Sequence, residues 1–564
     1  MVMMNRAIHV YRLALLLTVS LIATSTSDAR GKPNCTLFLT NYMQRCSPST
    51  LPKEGLATRT LEVVSSLGEY EPCTFSIRAN EDLSGITVEV SDLSCGRAII
   101  PRSNVVVRKA ETRDYPVPSG KVLKAECYLP RLKSVDVPKD STQRFWLVIH
   151  TPESAAPGAY RGEVTLRCGG EAFEKLDLRL NVLPVKLLQP KDMSYFMYYG
   201  VHNMPSFTRN MDYQRRCFLD MKAHGMTTTT LYYYPTKRAD GSIDLRYDRT
   251  ATSLPVIPSM KQMADTGLAA SGRPVIWVGA EFANTQAFEA MFAEARKRKW
   301  PELLLYLVDE PVDEARQKKL VEVMARVDEL RQAHPEMRIR TVTAINAVAI
   351  SQVGKYYDIW ICYAPDVGEH MVKQAKQEGK ELWCYDCSLA SVDALTSRYC
   401  YGFWAWKCGL KGVSNWAYAD VPSAYGNKRW SPSQKEQISP LSFVHPIIEE
   451  PVPSVSWEAV REGVDDYRYL TTLTALVEQA KSAGKANEAA DAEKLLAEVG
   501  SLIHMDGFTK SYLAACKADT GSKEENQSYV YNRVPPEPAI PLTGYDELRH
   551  RIARQIVKLS EALR

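Results

Sequence analysis

Two adjacent carboxylates, Asp309 and Glu310, form the best candidate acid–base pair in this sequence. They follow the apolar run 303–308 and precede Pro311, which favours an extended backbone at the residue before it. A carboxylic acid beside a second carboxylate has a raised pKa, so one member can donate a proton while the other stays an anion. Cleavage of a glycosidic bond requires these two roles.

The same two residues also have a purely structural interpretation. Asp309 could cap the helix that follows, with Glu310 as an exposed acid in its first turn, because side-chain oxygens and negative charge are favoured at helix N-termini. Spacing alone leaves both interpretations open. If both acids act on one substrate, the chain must bend or bulge there, because successive side chains of a strand point to opposite faces.

The pair falls within an alternating pattern of strand-like and helix-like segments that begins at residue 194. Eight apolar or aromatic runs are candidate strands: 195–201, 227–234, 274–278, 303–308, 338–344, 357–363, 381–385 and 412–417. The clearest helical segments, 284–299 and 314–334, have apolar residues at three- and four-residue spacing. This alternation predicts a (β/α)8 TIM-type barrel, with a doubly wound open sheet as the competing architecture. Active sites of such barrels lie at the carboxyl ends of the strands, where the acid pair falls.

Other polar and aromatic side chains near the predicted strand ends are candidate substrate ligands. The polar candidates are Tyr198, His202, Glu281, Asn346, Tyr363, Asp366, Asp386 and Asp420, and the late aromatic group is Trp383, Tyr385, Trp404, Trp406, Trp416 and Tyr418. Aromatic rings stack on the apolar faces of sugars, while polar groups bind the hydroxyls. Core packing is the competing interpretation for each individual tryptophan, and a lone histidine is more often structural.

The first 29 residues have the features of a secretory signal. Arg6 and Arg12 precede a short apolar run, and Ser-Asp-Ala at 27–29 resembles a cleavage site. The run is shorter than the ~20 apolar residues that a membrane-spanning helix needs. The sequence therefore predicts a signal peptide over 1–29 and an exported protein, periplasmic or extracellular.

Three regions are predicted in the mature chain. Short β-branched and aromatic runs bounded by Gly and Pro predict a β-sandwich domain over 30–188. The barrel is expected over 189–465, and amphipathic stretches predict a helical C-terminal region over 466–564. The predicted fold class is therefore multidomain, β followed by α/β.

Composition and motifs argue against several other functions. The 564 residues include 70 basic and 66 acidic side chains, a net charge of +4, which is no footprint for nucleic acid. The sequence has no Walker-type phosphate loop, HExxH or GxSxG, and no GxGxxG follows the first strand. We therefore expect no cofactor, nucleic acid or membrane span, and the acid pair with the aromatic group favours a carbohydrate as the partner.

The cysteines give no metal motif. Their number is 13, so at least one stays free or pairs between chains. Cys384 and Cys387 form one CxxC, but no second CxxC accompanies them to complete a zinc site. A local disulfide or two buried thiols is the favoured interpretation, and we expect no metal.

Several segments resemble glycoside hydrolase family 123. Residues 305–311, Leu-Tyr-Leu-Val-Asp-Glu-Pro, resemble the catalytic strand of that family, and 453–470 resemble the segment after its last barrel strand. Further similar segments are 403–407 with 412–416 in the barrel, and 68–72 and 156–162 in the β-sandwich. The resemblance therefore spans nearly the whole mature chain.

This resemblance implies both a fold and a mechanism. It implies a β-sandwich followed by a (β/α)8 barrel, and substrate-assisted, retaining hydrolysis of β-N-acetylhexosaminides, notably β-N-acetylgalactosaminides. Asp309 would then orient and stabilise the acetamido group, and Glu310 would protonate the leaving oxygen and afterwards activate water. Tyr363 is the candidate by position for helping to hold the acetamido group.

Two other functions remain open from the sequence. One is a glycosidase of other specificity with a protein nucleophile, for which Glu281 and Asp386 are candidates. The other is a non-catalytic glycan-binding envelope protein built on a decayed barrel, against which the intact acid pair argues.

Overall fold

The computed structural model describes most of the chain. The described residues are 32–52, 59–116, 122–235, 237–238, 240–245, 254–270, 272–387, 394–420, 441–510, 540–541 and 544–564. The predicted signal peptide, 1–29, lies outside them. Within the described residues, every helix is too short or too polar to cross a bilayer.

The N-terminal part is rich in strands, as predicted. Its strands β1 to β13 are, in order, Cys35–Leu39, Thr60–Ser65, Tyr70–Ala79, Leu83–Val90, Leu93–Cys95, Ala98–Ile100, Val105–Lys109, Glu111–Pro116, Val122–Tyr128, Val135–Val137, Thr142–His150, Gly158–Cys168 and Glu171–Val182. One sheet has the order β1-β3-β11-β7, and a second has the order β10-β4-β12-β13-β2, with β5 paired to β12 and β6 paired to β5. β8 and β9 form a separate antiparallel pair.

The two larger sheets share one hydrophobic core. Phe75 of β3 and Phe145 of β11 stack with 5.1 Å between ring centroids. They belong to the same buried cluster as Leu166 of β12 and Leu178 of β13. Alternate side chains of both sheets therefore point into a common interior, as in sheets that pack face to face.

The following part is a single parallel sheet with helices between its strands. Strands β14 to β21 are Ser194–Tyr195, Thr230–Tyr232, Val275–Val278, Leu303–Tyr306, Thr341–Ile345, Ile359–Tyr363, Glu381–Asp386 and Gly412–Asn415. Helices α1 to α8 are Met211–Ala223, Val256–Asp265, Thr285–Arg298, Glu314–Ala333, Ala347–Val353, Glu369–Gln377, Ala394–Tyr399 and Ala405–Cys408, with a π-helical turn, Cys400–Trp404, between the last two. Each of the eight predicted runs overlaps one of these strands.

The sheet curls so that its first and last strands meet. Neighbours in sequence are neighbours in the sheet from β15 to β21, and β14 pairs with β21 through Ser194 and Gly412. The carbonyl of Tyr195 also accepts a hydrogen bond from the amide of Thr227, at 2.9 Å, just before β15. The predicted fold class, β followed by α/β, is confirmed, and in the described residues the eight predicted strands form a curled parallel sheet. A doubly wound open sheet is excluded by this strand order.

The strands divide their side chains between two layers. Leu304, Tyr306, Val342 and Ala344 belong to the inner cluster enclosed by the curled sheet. Their neighbours along the strands, Leu305 among them, pack in the outer layer between the sheet and the helices. Strands buried on both faces explain the nearly continuous apolar runs in the sequence.

The C-terminal part adds a short hairpin and three long helices. The hairpin consists of β22, Val444–Pro446, and β23, Pro451–Pro453. The helices α9, α10 and α11 are Val455–Ser482, Ala486–Leu502 and Gly544–Ala562. They pack together and against the segment of α7 and α8, so the helical C-terminal residues cover one side of the sheet.

Two fully enclosed arginines tie these helices together. Arg398 of α7 donates from Nε to Asp466 of α9 at 2.7 Å and from an Nη to Asp546 of α11 at 2.8 Å. Arg549 of α11 donates to Asp466 at 2.8 Å and to Glu462 of α9 at 2.6 Å. These five side chains are called the arginine cluster below.

The N-terminal sheets contribute directly to the arginine cluster. Arg398 donates to the hydroxyl of Tyr42 at 2.6 Å, and Arg549 donates to the carboxylate of Glu71, on β3, at 3.2 Å. Buried charges are tolerated when they are paired and hydrogen-bonded. The cluster therefore fastens the strand-rich part, the parallel sheet and the C-terminal helices to one another.

Candidate active site

The acid pair lies where β17 leaves the regular ladder of the sheet. In a regular parallel ladder, every second amide of one strand donates to every second carbonyl of its neighbour. The amide of Leu307 donates to the carbonyl of Val342 at 3.1 Å. The carbonyl of Ala344 then accepts from the amide of Glu310, three residues on, at 3.2 Å. In a regular ladder the amide of Asp309 would make this bond, so β17 contains one extra residue here and the segment is a β-bulge.

The bulge changes which face of the strand the acids occupy. Tyr306 faces the enclosed interior, whereas Leu307 and Val308 both pack in the outer layer. In a regular strand Val308 would point inward and Asp309 outward. Because two consecutive residues point outward, Asp309 returns to the inner side, and its carboxylate reaches the hydroxyl of Tyr306.

The backbone at the bulge is strained. Val308 and Glu310 have φ angles of 41° and 42°, in the left-handed region. That region is unusual for a β-branched residue such as valine, and each such residue costs on the order of 1–3 kcal/mol. The structure thus contains the bend that two adjacent acids need if both are to serve one substrate.

Asp309 has a hydroxyl as its hydrogen-bond partner rather than a cation. The hydroxyl of Tyr306 accepts from the amide of Ala344 at 3.2 Å, so its own hydrogen is free to be donated to Asp309 Oδ1. Burial raises the pKa of Asp309, and the charge of Glu310 raises it further, while the Tyr306 hydrogen bond opposes the rise. Although protein surrounds much of its carboxylate, Asp309 is an exposed residue, as is Glu310. The region where these two acids meet solvent, at the carboxyl ends of the strands of the parallel sheet, is called the mouth below.

Glu310 is held by a second tyrosine. The hydroxyl of Tyr385, at the carboxyl end of β20, donates to Glu310 Oε1 at 2.7 Å. An Nη of Arg316 donates to the backbone carbonyl of Glu310 at 2.8 Å and so supports its left-handed conformation. Both acids therefore open onto one mouth, each with its own tyrosine.

The helix-capping interpretation of the acid pair is wrong. The N-cap of α4 is Asp313, whose side chain accepts from the amide of Arg316 at 2.8 Å, and the acid in the first turn is Glu314. Asp309 and Glu310 precede the helix and take no part in its capping. The two pairs of acids have separate roles although they lie four residues apart.

Aromatic rings surround the acid pair. Tyr198 lies 5.4 Å from Trp416 and 6.4 Å from Tyr385, and Tyr363 lies 5.6 Å from Tyr385, between ring centroids. Burial, with the charge of Asp309 next, raises the pKa of Tyr198 well above its ordinary value. The predicted site residues Tyr198, Tyr363 and Trp416 are therefore brought together with the acids.

His202 and Glu281 lie at the edge of this group. His202 is 5.1 Å from the ring of Tyr232, whose pKa is raised by burial, by Tyr198 and by Asp309. Glu281, in a 3-10 turn after β16, is 3.4 Å from Nζ of Lys319. Burial raises the pKa of Glu281, Lys319 opposes the rise, and Asp309 adds to it.

Two predicted tryptophans lie away from the acids. Trp383 is enclosed within the curled sheet, and its indole donates to Glu381 at the amino end of the same strand, at 3.2 Å. Trp404 is buried among the helices, where its indole donates to the carbonyl of Met505 at 3.0 Å and its ring packs on Phe508. The structure therefore places both of these rings in cores.

Asn346 and Asp386 have positions that restrict their contact with a substrate. The side chain of Asn346 caps α5 by accepting from the amide of Ala349 at 2.9 Å. Asp386 is wholly enclosed, with 0% of its surface exposed, and its carbonyl accepts from the amide of Trp416. Asp386 is therefore closed off from solvent at the mouth, and Asn346 uses its Oδ1 as a helix cap.

Tyr306 and Tyr232 are site residues that the sequence reasoning missed. Tyr306 is the one polar side chain in the run Leu-Leu-Leu-Tyr-Leu-Val, and it immediately precedes the acids. A hydroxyl at an interior position of a buried strand needs a partner. The sequence could therefore have indicated that Tyr306 has a polar partner nearby. The sequence around Tyr232 gives no comparable indication.

The described residues offer no metal centre. Among them, no three His, Cys, Asp or Glu side chains converge so as to hold an ion. Cys384 and Cys387 are two free thiols, of which Cys384 is buried. The CxxC therefore holds two thiols rather than a disulfide, but the expectation that both are buried is correct only for Cys384, since Cys387 is partly exposed.

Comparison with protein families gives two matches. The model described as the glycoside hydrolase 123 N-terminal domain matches residues 67–168. The model described as the glycoside hydrolase 123 catalytic domain matches residues 283–473, which include the bulge and its two acids. Together these matches cover just over half of the chain. No curated protein matches the chain.

Comparison with solved structures also gives matches. A family 123 glycoside hydrolase from Clostridium perfringens, described for glycolipid glycan hydrolysis, superposes with a TM-score of 0.64 at 12% identity, over 93% of this chain and 100% of that chain. This similarity shows a shared fold. A family 39 glycoside hydrolase from Bacteroides cellulosilyticus WH2 has a TM-score of 0.34 at 13% identity, over 72% of this chain and 82% of that chain.

Proposed function

We propose that this chain, which is a glycoside hydrolase 123-like protein, is a retaining β-N-acetylhexosaminidase of the β-N-acetylgalactosaminidase type. The observation that carries the proposal is the bulge, which turns Asp309 and Glu310 to one mouth and gives each a different tyrosine partner. Adjacent acids with separate supports suit one stabilising role and one proton-transfer role.

The proposed reaction uses the acetamido group of the substrate as its nucleophile. The acetamido oxygen attacks the anomeric carbon while the glycosidic bond breaks, and Glu310 gives its proton to the leaving oxygen. Asp309 accepts a hydrogen bond from the acetamide N–H and stabilises the positive charge of the oxazolinium ring that forms. Water then attacks the anomeric carbon and gives its proton to Glu310, the ring opens, and the original anomeric configuration is restored.

The positions of the other carboxylates support this choice of nucleophile. Asp386 is enclosed, and Glu281 is paired with Lys319 at the edge of the site. A retaining enzyme with a protein nucleophile has its two carboxyl groups on opposite sides of the scissile bond, about 5 Å apart. Consecutive acids on one bulge suit instead a mechanism in which the substrate supplies the attacking atom.

The tyrosines of the mouth are proposed to bind the sugar. Tyr363 and Tyr198 would hold the acetamido group and the ring, with Trp416 as an apolar surface. His202 and Glu281 would bind more distant hydroxyls. We also propose a closed (β/α)8 barrel, supported by the pairing of β14 with β21 and by the hydrogen bond between Tyr195 and Thr227.

Export is proposed on the sequence of residues 1–29, with glycans or glycoconjugates outside the cytoplasm as substrates. Expression of the full chain followed by N-terminal sequencing of the secreted product tests this. Cleavage after residue 29 supports export, and an intact N-terminus retained in the cytoplasm contradicts it.

The activity is tested with matched aryl glycosides. The enzyme is expected to cleave an aryl β-N-acetylgalactosaminide and to leave the corresponding β-galactoside, which lacks the acetamido group, essentially intact. NMR of the first product should show retention. Equal cleavage of both substrates would contradict substrate assistance, and a 2-fluoro sugar trapped on Glu281 or Asp386 would identify a protein nucleophile instead. Glycan binding without cleavage of any substrate would favour the non-catalytic alternative.

A further inference from the structure

The bulge at 307–310 removes partners from backbone groups that the regular ladder would have paired. The carbonyl of Leu307 would accept from the amide of Ala344 in an uninterrupted parallel ladder. That amide donates instead to the hydroxyl of Tyr306, at 3.2 Å. Buried carbonyls are almost always hydrogen-bonded, so those of Leu307 and Val308 need other donors.

Two buried hydroxyls supply those donors. Tyr357 Oη donates to the carbonyl of Leu307 at 3.0 Å and lies 3.4 Å from that of Val308. Thr343 Oγ1, on the outer face of β18, donates to the carbonyl of Val308 at 3.0 Å. Both side chains are wholly buried behind the sheet, and neither contacts the mouth where the acids open.

These bonds fix the conformation that brings the acids together. The carbonyl of Val308 precedes Asp309 directly, so its direction sets the plane of the peptide that carries the acid. Val308 itself is in the left-handed region, which a valine leaves readily unless its surroundings prevent it. A return to extended backbone would restore the regular alternation and turn Asp309 away from Tyr306.

We propose that Tyr357 and Thr343 are positioning residues, which hold the bulge so that Asp309 and Glu310 face the same substrate. The inference rests on the proposed function for its kinetic consequence only. Its structural part, that the two hydroxyls maintain the conformation of Val308, concerns the free protein.

The test uses substitutions that remove a hydroxyl and preserve shape. Tyr357→Phe and Thr343→Val are made singly and together, and Thr343→Ser restores the donor. The matched controls are Tyr195→Phe and Thr228→Val. Those residues are equally buried and donate to the carbonyls of Tyr401 and Pro274 at 3.0 and 2.7 Å. Tyr195 lies on β14 and Thr228 just before β15, so neither contacts the bulge.

The kinetic result expected is a change in kcat that thermal stability does not explain. Misplacement of reacting groups by about 1 Å can lower rates on the order of 10²-fold. We therefore expect kcat on the aryl N-acetylhexosaminide to fall about tenfold or more in each single variant, with KM nearly unchanged. Thr343→Ser should recover most of it. The controls should lose a similar amount in Tm and keep the wild-type kcat.

A crystal structure of the Tyr357→Phe, Thr343→Val double variant separates this inference from the proposed function. The expected result is a changed φ at Val308 and loss of the contact between Asp309 and Tyr306. An unchanged bulge, or a kcat equal to that of the controls, would overturn the inference. If the wild-type enzyme cleaves no N-acetylhexosaminide, the proposed function fails, while the backbone of the double variant still decides the role of the two hydroxyls.

Discussion

The arginine cluster and the acid pair place the same kind of side chain in opposite surroundings. In the cluster, Asp466 accepts from two guanidinium groups, those of Arg398 and Arg549. At the mouth, Asp309 accepts from the hydroxyl of Tyr306, and Glu310 from that of Tyr385. The carboxylates of the cluster accept from guanidinium groups, whereas Asp309 and Glu310, both exposed at the mouth, accept from hydroxyls.

The difference appears in the electrostatics of the two regions. Burial alone would raise the pKa of Asp546, but the charge of Arg398 lowers it below its usual value. The pKa of Asp309 is raised, because its hydroxyl partner does not offset burial and the charge of Glu310. The contrast is between these two residues rather than between all the carboxylates of the two regions, since burial raises the pKa of Glu462 in the cluster despite the charge of Arg549. A carboxylate with a lowered pKa stays an anion, whereas one with a raised pKa can take part in proton transfer or change its interactions during a reaction.

The largest expected effect is on the chemistry of the mouth. Glu310→Gln removes the proposed proton donor, and general acid–base catalysis contributes about 10²–10⁴-fold, so kcat should fall by that factor. The loss should be smaller for an aryl glycoside whose phenol is a good leaving group, since it needs less protonation. Steady-state kinetics on both substrates check this. An equal loss on both would assign Glu310 another role.

The reverse result is expected in the arginine cluster. Arg549→Met leaves Asp466 and Glu462 buried with one guanidinium fewer, and breaking a buried ion pair costs about 3–5 kcal/mol. Urea unfolding should show this loss, while the folded fraction keeps the wild-type kcat. The control is Arg551→Met on the same helix, whose partial exposure and pairing with Glu498 predict less than about 1 kcal/mol. Equal losses of unfolding free energy in both variants would show that the buried cluster stabilises the protein no more than an exposed ion pair does.

A smaller effect should follow from Tyr306→Phe, which leaves Asp309 without its hydroxyl partner. The Tyr306 hydrogen bond lowers the pKa of Asp309, so its removal raises that pKa further. If the reaction needs ionised Asp309, the acid limb of kcat/KM against pH must move to higher pH. Hydrogen bonds to charged groups contribute about 1.5–3 kcal/mol, so the rate should also fall about tenfold or more. An unmoved acid limb would mean that another group controls it.

The smallest effect concerns Asp313, which separates a capping acid from a catalytic one. Asp313→Ala removes the N-cap of α4 and should cost about 1 kcal/mol of unfolding free energy, with kcat changed little. Asp309→Asn should do the opposite: activity is lost and unfolding is nearly unchanged. Chemical denaturation and kinetics on both variants make the comparison. Loss of stability in Asp309→Asn equal to that of Asp313→Ala would return Asp309 to a structural role.

The strands of the parallel sheet could be predicted because their signal is local. Each buried strand is a short apolar run, and each helix repeats its apolar residues every three or four positions. The end of β17 could not be predicted in this way. The run extends to Val308, but the strand ends at Tyr306, because the bulge arises from pairing with β18 and from hydroxyls distant in sequence.

The acid pair was identifiable from its residue types and its place after a strand, but its surroundings were only partly so. Trp383 and Tyr385 share one face of β20, and only Tyr385 reaches the acids. Their depth in the sheet depends on strand tilt and stagger, which periodicity does not encode. Trp404 looked similar in sequence, yet its partners are Met505 and Phe508, about 100 residues away along the chain.

The contacts of Tyr42 and Glu71 with the arginine cluster limit how far the N-terminal sheets can be exchanged as an independent domain. The strand-rich part supplies a hydroxyl to Arg398, on α7 beside the parallel sheet, and a carboxylate to Arg549, on the C-terminal helix α11. If the strand-rich part were exchanged for an unrelated β-domain, Arg398 and Arg549 would each lose a hydrogen-bond partner at the new domain interface. Recombination between relatives should therefore transmit the N-terminal sheets and the C-terminal helices as one inherited unit, even though the acids lie in neither.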